Sequence, residues 1–441
     1  MPLKRAWRAS HRAPAASLIA TACASICLAR CNCPDRRRNR PYSSSGSVPV
    51  SSLASVKLYF DDDGFDGQLQ RSVGKAGSGM ANVGECLSIA AHITPGDRDS
   101  WYQAWTAFGT RLREQADAAA EAGHVVSARG AYLRAAEYFR QAFFFHRDDL
   151  DGTELRAAYP ASVQAFRAAL PLLSHPARVL SGTLSGYLFT PAGPASPRPT
   201  ILHLGGYDST AEELYASAGP ALERGYAFAA VDGPGQGSVL YEQRVPMRPD
   251  WEHVVPDMVD NLITEPEVDA AKIALVGRSF GGFLAPRGAA GESRLAAMIV
   301  DPGQYDLGTA ASARLGDLAR RINDPAADDQ FNALLTLPAL KALLAPRMVT
   351  HGAASVRAYL ADMLRYTNAP TIAEVACPSY VTDNETDTIS TNQGKELFDH
   401  LTCPKRFRLF TEAEGAAGHC EGMAPIVFWT AAFDWLDHTM S

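Results

Sequence analysis

The stretch Val276-Gly277-Arg278-Ser279-Phe280-Gly281-Gly282 limits what this chain can become more than any other. Lys272 to Val276 before it forms a mostly apolar run of strand length, and Phe283-Leu284-Ala285 after it reads as the start of a helix. Gly-x-Ser-x-Gly between a strand and a helix predicts a very sharp turn with the serine at its tip. Residues that carry a Cβ tolerate such a backbone poorly. The positions two before and two after the serine must be small, so that strand and helix can pass closely. Gly277 and Gly281 meet that need, and Gly282 extends it. The turn presents Ser279 as a candidate nucleophile.

A serine hydroxyl is a weak nucleophile at neutral pH. It needs a base within hydrogen-bond reach, and the base needs an orienting acid. Behind such a turn the acid and then the histidine follow in chain order, each after a later strand. Pro378 to Thr382 reads as a strand, with Asp387 in the loop after it. Lys405 to Phe410 reads as the last strand, followed by Gly415-Ala416-Ala417-Gly418-His419-Cys420. His419 is the candidate base, on a glycine-bearing loop that can swing it over the serine. Asp387 is preferred as the acid over its loop neighbours Asp383 and Glu385, because there the chain has already turned toward the histidine. His253, His351 and His400 fall in helical segments and read as surface or core residues.

An anion developing on the attacked carbonyl needs two backbone N–H groups aimed at it. The amide of Phe280, next after the nucleophile, is one candidate. The second is expected from Gly205-Gly206-Tyr207, after the strand Thr200 to Leu204, with the Tyr207 amide as the donor. Gly233-x-Gly235-x-Gly237 lacks the Lys-Ser/Thr of a phosphate-binding loop and the spacing of a dinucleotide fingerprint. It reads as a tight turn at the sheet edge.

Around these motifs the period of the sequence changes twice. From 55 to about 175 it is helical. Trp101, Trp105, Phe108 and Leu112 make one helix face, with Asp99 or Ser100 as its cap. Val126, Ala131, Ala135, Tyr138, Phe139 and Ala142 make a second, capped by Ser127. Ala128, Ala131, Ala135 and Ala136 allow close helix approach. The aromatic run Tyr138 to His146 reads as bundle core, with substrate-facing rings as the alternative. His124 and His146 read as helix-end residues.

From 176 strands and helices alternate: strands at 180–190, 200–204, 226–231, 272–276 and 296–300, and helices at 211–224 and 251–263. That alternation predicts an α/β fold with a mostly parallel sheet flanked by helices. Residues 306–374 interrupt it with helical patterns alone, which predicts an inserted helical cap. Helices at 391–401 and 424–439 complete the unit.

Residues 1–52 differ from the rest, being rich in Arg, Ala, Ser and Cys. They read as a disordered or targeting leader outside the fold. The chain of 441 residues is 46% hydrophobic and 20% charged, enough for a large core. Its net charge of −7 and the lack of a basic stripe in the body argue against a nucleic-acid partner. No apolar run approaches the roughly 18 residues that span a bilayer, so a cytoplasmic location is the default. Cys31-Asn32-Cys33 has no matching Cys/His pair at zinc-ligand spacing, and no metal or cofactor is expected. Cys86, Cys377, Cys403 and Cys420 read as reduced, buried thiols.

Several segments together resemble a known group. Leu204-Gly205-Gly206-Tyr207-Asp208-Ser209-Thr210, Gly277-Arg278-Ser279-Phe280-Gly281-Gly282 and the loop ending at Asp387 are similar to the α/β-hydrolases related to 2,6-dihydroxypseudooxynicotine hydrolase. The fungal heptaketide-shortening hydrolase of pigment synthesis belongs to the same group. The helical stretch with Ser127-Ala128-Arg129 and Tyr138-Phe139-Arg140 also resembles theirs, so the likeness runs from about 55 to 441. It implies the α/β-hydrolase fold with an N-terminal helical domain and a cap that together enclose a small-molecule substrate. It also implies a triad of Ser279, Asp387 and His419, cleavage of a carbon–carbon bond next to a ketone, and a homodimer. The serine turn is shared with esterases and serine peptidases, so a carboxylesterase and an acyl-aminoacyl-type peptidase stay open. A non-catalytic binding protein on a hydrolase scaffold is the reading from a different class.

Overall fold

The computed structural model describes residues 57–180 and 184–440. The expected leader, 1–52, lies outside the described residues. The sheet has eight strands: β1 Ala177–Val179, β2 Ser185–Phe189, β3 Arg198–Leu204, β4 Ala227–Asp232, β5 Val268–Arg278, β6 Leu295–Asp301, β7 Ser379–Asn384 and β8 Lys405–Phe410. They lie in the order β1-β2-β4-β3-β5-β6-β7-β8. β1 and β2 pair antiparallel with their neighbours, and every pairing from β4 to β8 is parallel.

The interior parallel strands, such as β4 and β6, are mostly apolar runs because helices cover both faces of the sheet there, whereas β8 at the edge is mixed and partly exposed. Side chains alternate across it. Ile201, Phe228, Ala230, Val276 and Ile299 join one core, with the helices Arg98–Glu121, Val125–Phe143, Thr153–Ala169 and Pro425–Thr439. Leu202, Leu204, Val231, Leu275 and Val300 join the other, with the helices Val254–Leu262 and Gly281–Ala290 and those between β6 and β7. Those last include Leu307–Leu315, Pro338–Thr350 and Val356–Met363, and no strand interrupts them.

Trp101, Trp105 and Leu112 are buried along one helix face. That helix starts at Arg98, and its cap is Asp97, whose carboxylate accepts from the amides of Asp99 and Ser100. Asp99 and Ser100 are thus first-turn residues rather than caps. The next helix starts at Val125 after His124, so Ser127 is inside it and caps nothing. The expected helix 211–224 breaks into Ala211–Leu214, a 3₁₀ turn Tyr215–Ser217 and Ala218–Glu223. Pro220 has no N–H to carry a continuous helix through that point. The expected strand 180–190 is observed from Ser185 to Phe189, and its residues 181–183 lie outside the described ones. The turn after β4 is tight, but β4 lies between β2 and β3 in the interior of the sheet. Cys86 and Cys377 are buried free thiols, whereas Cys403 and Cys420 are only half-buried, so two of the four depart from expectation.

Candidate active site

β5 ends at Arg278 and the following helix starts at Gly281, so the chain reverses over two residues. Ser279 takes φ 57°, a left-handed conformation that costs a serine on the order of 1–3 kcal/mol. The crossing is too close for side chains. A Cβ on Gly277 would lie 2.1 Å from the Gly281 carbonyl oxygen, and one on Gly281 2.8 Å from that of Leu204. The Ser279 amide donates to the Asp301 carbonyl at 2.7 Å, which ties the turn to the end of β6.

Ser279 Oγ lies 2.8 Å from His419 Nε2. His419 Nδ1 lies 2.9 Å from Asp387 Oδ2. A carboxylate only accepts, so Nδ1 carries the proton and donates to Asp387, which leaves Nε2 of the neutral ring as the acceptor for the serine hydroxyl. Asp387 Oδ1 accepts from the amides of Ile389 (2.7 Å) and Ser390 (3.3 Å). Burial opposes its charge, but His419 and these amides outweigh that and hold the carboxyl below its usual range. Burial also opposes a charge on His419. Cys420 beside it and the Asp387 carboxylate favour one, and the balance lies above the ordinary imidazole range.

The two rival acids are engaged elsewhere. Asp383 accepts from the amides of Asn384 and Lys395, and burial pushes it up to about 6. Glu385 accepts from the amide of Glu412.

Arg278 ties down the loop that carries the histidine. Cys420 and Glu421 both have positive φ, 53° and 57°. Arg278 holds them, donating to the Cys420 carbonyl at 3.0 Å and the Glu421 carboxylate at 2.6 Å while pairing with Asp301 at 2.7 Å. One arginine thus links the nucleophile turn, the end of β6 and the loop that carries the base.

Opposite the serine runs Gly205-Gly206-Tyr207. A Cβ built on Gly206 would meet Ser279 Oγ at 2.9 Å and the Phe280 nitrogen at 3.2 Å. The loop therefore lies directly against Ser279 and the Phe280 amide. Neither the Phe280 nor the Tyr207 amide donates to an acceptor among the described residues. Gln236 Nε2 fixes the loop from behind, donating to the carbonyls of Gly205 (2.7 Å) and Gly206 (3.2 Å). The Tyr207 ring packs against Phe280, tilted by 33° with centroids 4.0 Å apart. Its hydroxyl meets His351 Nε2 at 2.8 Å, and His351 Nδ1 meets Asp362 at 2.7 Å. His351 is a core residue, as expected, but one that props this loop.

Ser279, Phe280, Tyr207 and His419 line a cavity of about 1280 Å³. Its further walls come from the helix Asp63–Val73, the turn after it, and Leu307, Ala310, Arg347, Tyr359 and Met363 of the 307–363 helices. No ring of the run Tyr138 to Phe145 reaches it; Tyr138, Phe139 and Phe143 are packed in the core instead. The N-terminal wall is held by a buried ionic cluster. Arg71 forks onto Glu213 and reaches Asp208, and Lys75 pairs with Glu137 and Glu213. His203 also faces the cavity, and burial lowers it to about 3, keeping it neutral. Among the described residues no group of three or more His, Cys, Asp or Glu is arranged to hold a metal ion. None of their helices is long and apolar enough to cross a membrane.

The sequence motifs missed Gln236, the Tyr207–His351–Asp362 chain and the ionic cluster. Gln236 carried a signal, since it sits inside the glycine turn set aside as merely tight. The others turn on contacts such as Arg71–Asp208 and Tyr207–His351, which join residues more than 130 positions apart and left no local pattern.

Comparison with known proteins fits this geometry. The alpha/beta hydrolase family model matches residues 202–427, about half the chain. A second family, esterase FrsA-like, matches 94–305. Hydrolase acrC of Aspergillus aculeatus is 32% identical over 418 residues, covering 86% of this chain and 97% of its own. The 20-hydroxy-prefusarin hydrolase FUS2 of Gibberella moniliformis is 37% identical over 262 residues, 56% of this chain and 62% of its own. Alpha/beta hydrolase xenA of Xenoacremonium sinensis is 39% identical over 259 residues, 54% and 59% respectively. With both of these the match spans about three-fifths of the relative's length. Among solved structures, 2,6-dihydroxy-pseudo-oxynicotine hydrolase superposes with a TM-score of 0.61 at 24% identity, covering 83% of this chain and 95% of that one.

Proposed function

The chain belongs to the alpha/beta hydrolase family, and we propose that it is a serine hydrolase cleaving a carbon–carbon bond next to a ketone in an aromatic or polyketide-like small molecule. The observation that carries the reading is the unbroken hydrogen-bonded chain Ser279–His419–Asp387 on the wall of a large cavity. Ser279 attacks the carbonyl carbon as His419 Nε2 takes its proton. Asp387 stabilises the imidazolium. The amides of Phe280 and Tyr207 hold the oxyanion. The tetrahedral adduct collapses by breaking the bond to the α-carbon, whose electron pair leaves as an enolate stabilised by the neighbouring ketone. His419 returns the proton to that carbon. Water, activated by the same histidine, then releases the acyl group from Ser279, so one water is consumed in all. In a direct variant, the His419–Asp387 pair activates water as the attacking group.

The carbon–carbon preference rests on the resemblance to the group of 2,6-dihydroxypseudooxynicotine hydrolase and on relatives such as 20-hydroxy-prefusarin hydrolase. A carboxylesterase is the second reading, favoured by the match to the esterase FrsA-like family. It uses the same groups with an alkoxide as the leaving group. The test is to offer the purified protein p-nitrophenyl esters, aminoacyl amides and aromatic β-diketones, and to identify products by mass spectrometry. Cleavage of the diketones to an acid and a ketone is expected. Turnover of esters alone would sink the carbon–carbon reading.

A further inference from the structure

The cations that line the cavity differ in one respect. Arg71 and Lys75 are neutralised by Asp208, Glu213 and Glu137, and Arg278 by Asp301 and Glu421. The Arg347 guanidinium has no hydrogen bond and no ion pair with any described residue. The residue is half-buried. The other lining carboxylates offer it no partner: Asp208 and Glu213 are taken by the cluster, while Asp63 and Glu223 are exposed. A cation in the last turn of a helix gains a little from the helix dipole. That role does not require the side chain to turn inward, yet the Arg347 guanidinium lies 5.4 Å from the centre of the Tyr207 ring.

The placement is specific. Arg347 and His351 are one turn apart, and both engage Tyr207, one over the ring face and one at the hydroxyl. Phe280, Tyr207 and Arg347 therefore form a contiguous series leading away from Ser279. Tyr359, Met363 and Ala310 add apolar wall beside it. A planar guanidinium with all its donors free, set in an apolar wall, matches a carboxylate, which it grips by two parallel hydrogen bonds.

We propose that the substrate carries a carboxylate on an aromatic or apolar body, and that Arg347 binds it at the end of this series away from Ser279. This rests on the hydrolase reading of the same cavity. Titration calorimetry tests it without turnover, using 5-phenylvalerate and its uncharged amide as probes. The wild-type protein should bind the acid at least tenfold more tightly than the amide, and the preference should weaken with added salt. Arg347→Gln should remove the preference and Arg347→Lys retain part of it, with thermal melts showing both variants folded. Equal affinity for acid and amide, no measurable binding of the acid, or an Arg347→Gln protein that keeps the preference overturns the proposal. Carboxylate selectivity without turnover of any ester or diketone would instead count against the hydrolase reading and leave this one standing.

Discussion

Gly206→Ala should disable the site while leaving the fold in place. Gly206 does not have a positive φ, so an alanine meets no backbone penalty there. The consequence is steric. The new methyl would lie 2.8 Å from Ser279 Cβ, 2.9 Å from Oγ and 3.2 Å from the Phe280 nitrogen. The first two are contacts that real methyl groups do not make, so either the serine rotates off His419 or the 205–207 loop retreats from Phe280. The first outcome breaks the 2.8 Å Ser279–His419 hydrogen bond, and the second parts the two proposed oxyanion donors. Losing one such donor costs about 10²–10³ in kcat, and kcat/KM on a p-nitrophenyl ester should fall by at least that much. Overpacking of this kind costs stability on the order of 1–3 kcal/mol, so the variant should still melt cooperatively. Gly205→Ala is the informative partner, because its methyl would strike Ser209 at 2.4 Å rather than the nucleophile. A Gly206→Ala protein within threefold of wild-type kcat/KM would refute the placement of the oxyanion site.

Asp387→Asn should lower kcat by roughly 10³–10⁴, and Asp383→Asn should have a far smaller effect; steady-state kinetics of the pair decide the acid. The rate should depend on neutral His419, so kcat/KM should rise with pH through an apparent pKa above the ordinary imidazole value of about 6.5. Because the Asp387 carboxylate favours the imidazolium, Asp387→Asn should move that limb to lower pH, which a pH–rate profile reads directly. Arg278→Met leaves the buried carboxyls of Asp301 and Glu421 without their cation. Breaking a buried pair in this way costs about 3–5 kcal/mol, to be measured by denaturant unfolding.

The interior parallel strands were legible because burial on both faces makes them plain apolar runs, as in Ala227–Asp232. β1 was not, since Ala177–Val179 is three residues long and only partly buried. The serine turn was readable because its glycines answer a local steric demand. The positions of Asp387 and His419 followed from strand ends, and the structure brings both to Ser279. Asp97, Asp99 and Ser100 are all capping residue types within four positions, so only hydrogen-bond geometry separates them. His351 read as an ordinary surface or core residue because its partner Tyr207 lies 144 positions away. Arg71 and Glu213, 142 apart, were hidden for the same reason. Chain topology, not local pattern, joins them.

The central claim is that Ser279 is the nucleophile, and covalent labelling tests it most directly. The full-length protein is treated with a fluorophosphonate, weighed intact and then mapped by peptide mass spectrometry. One adduct per chain on Ser279, absent from Ser279→Ala, is the predicted result. An unlabelled Ser279, with hydrolysis persisting in Ser279→Ala, would contradict it.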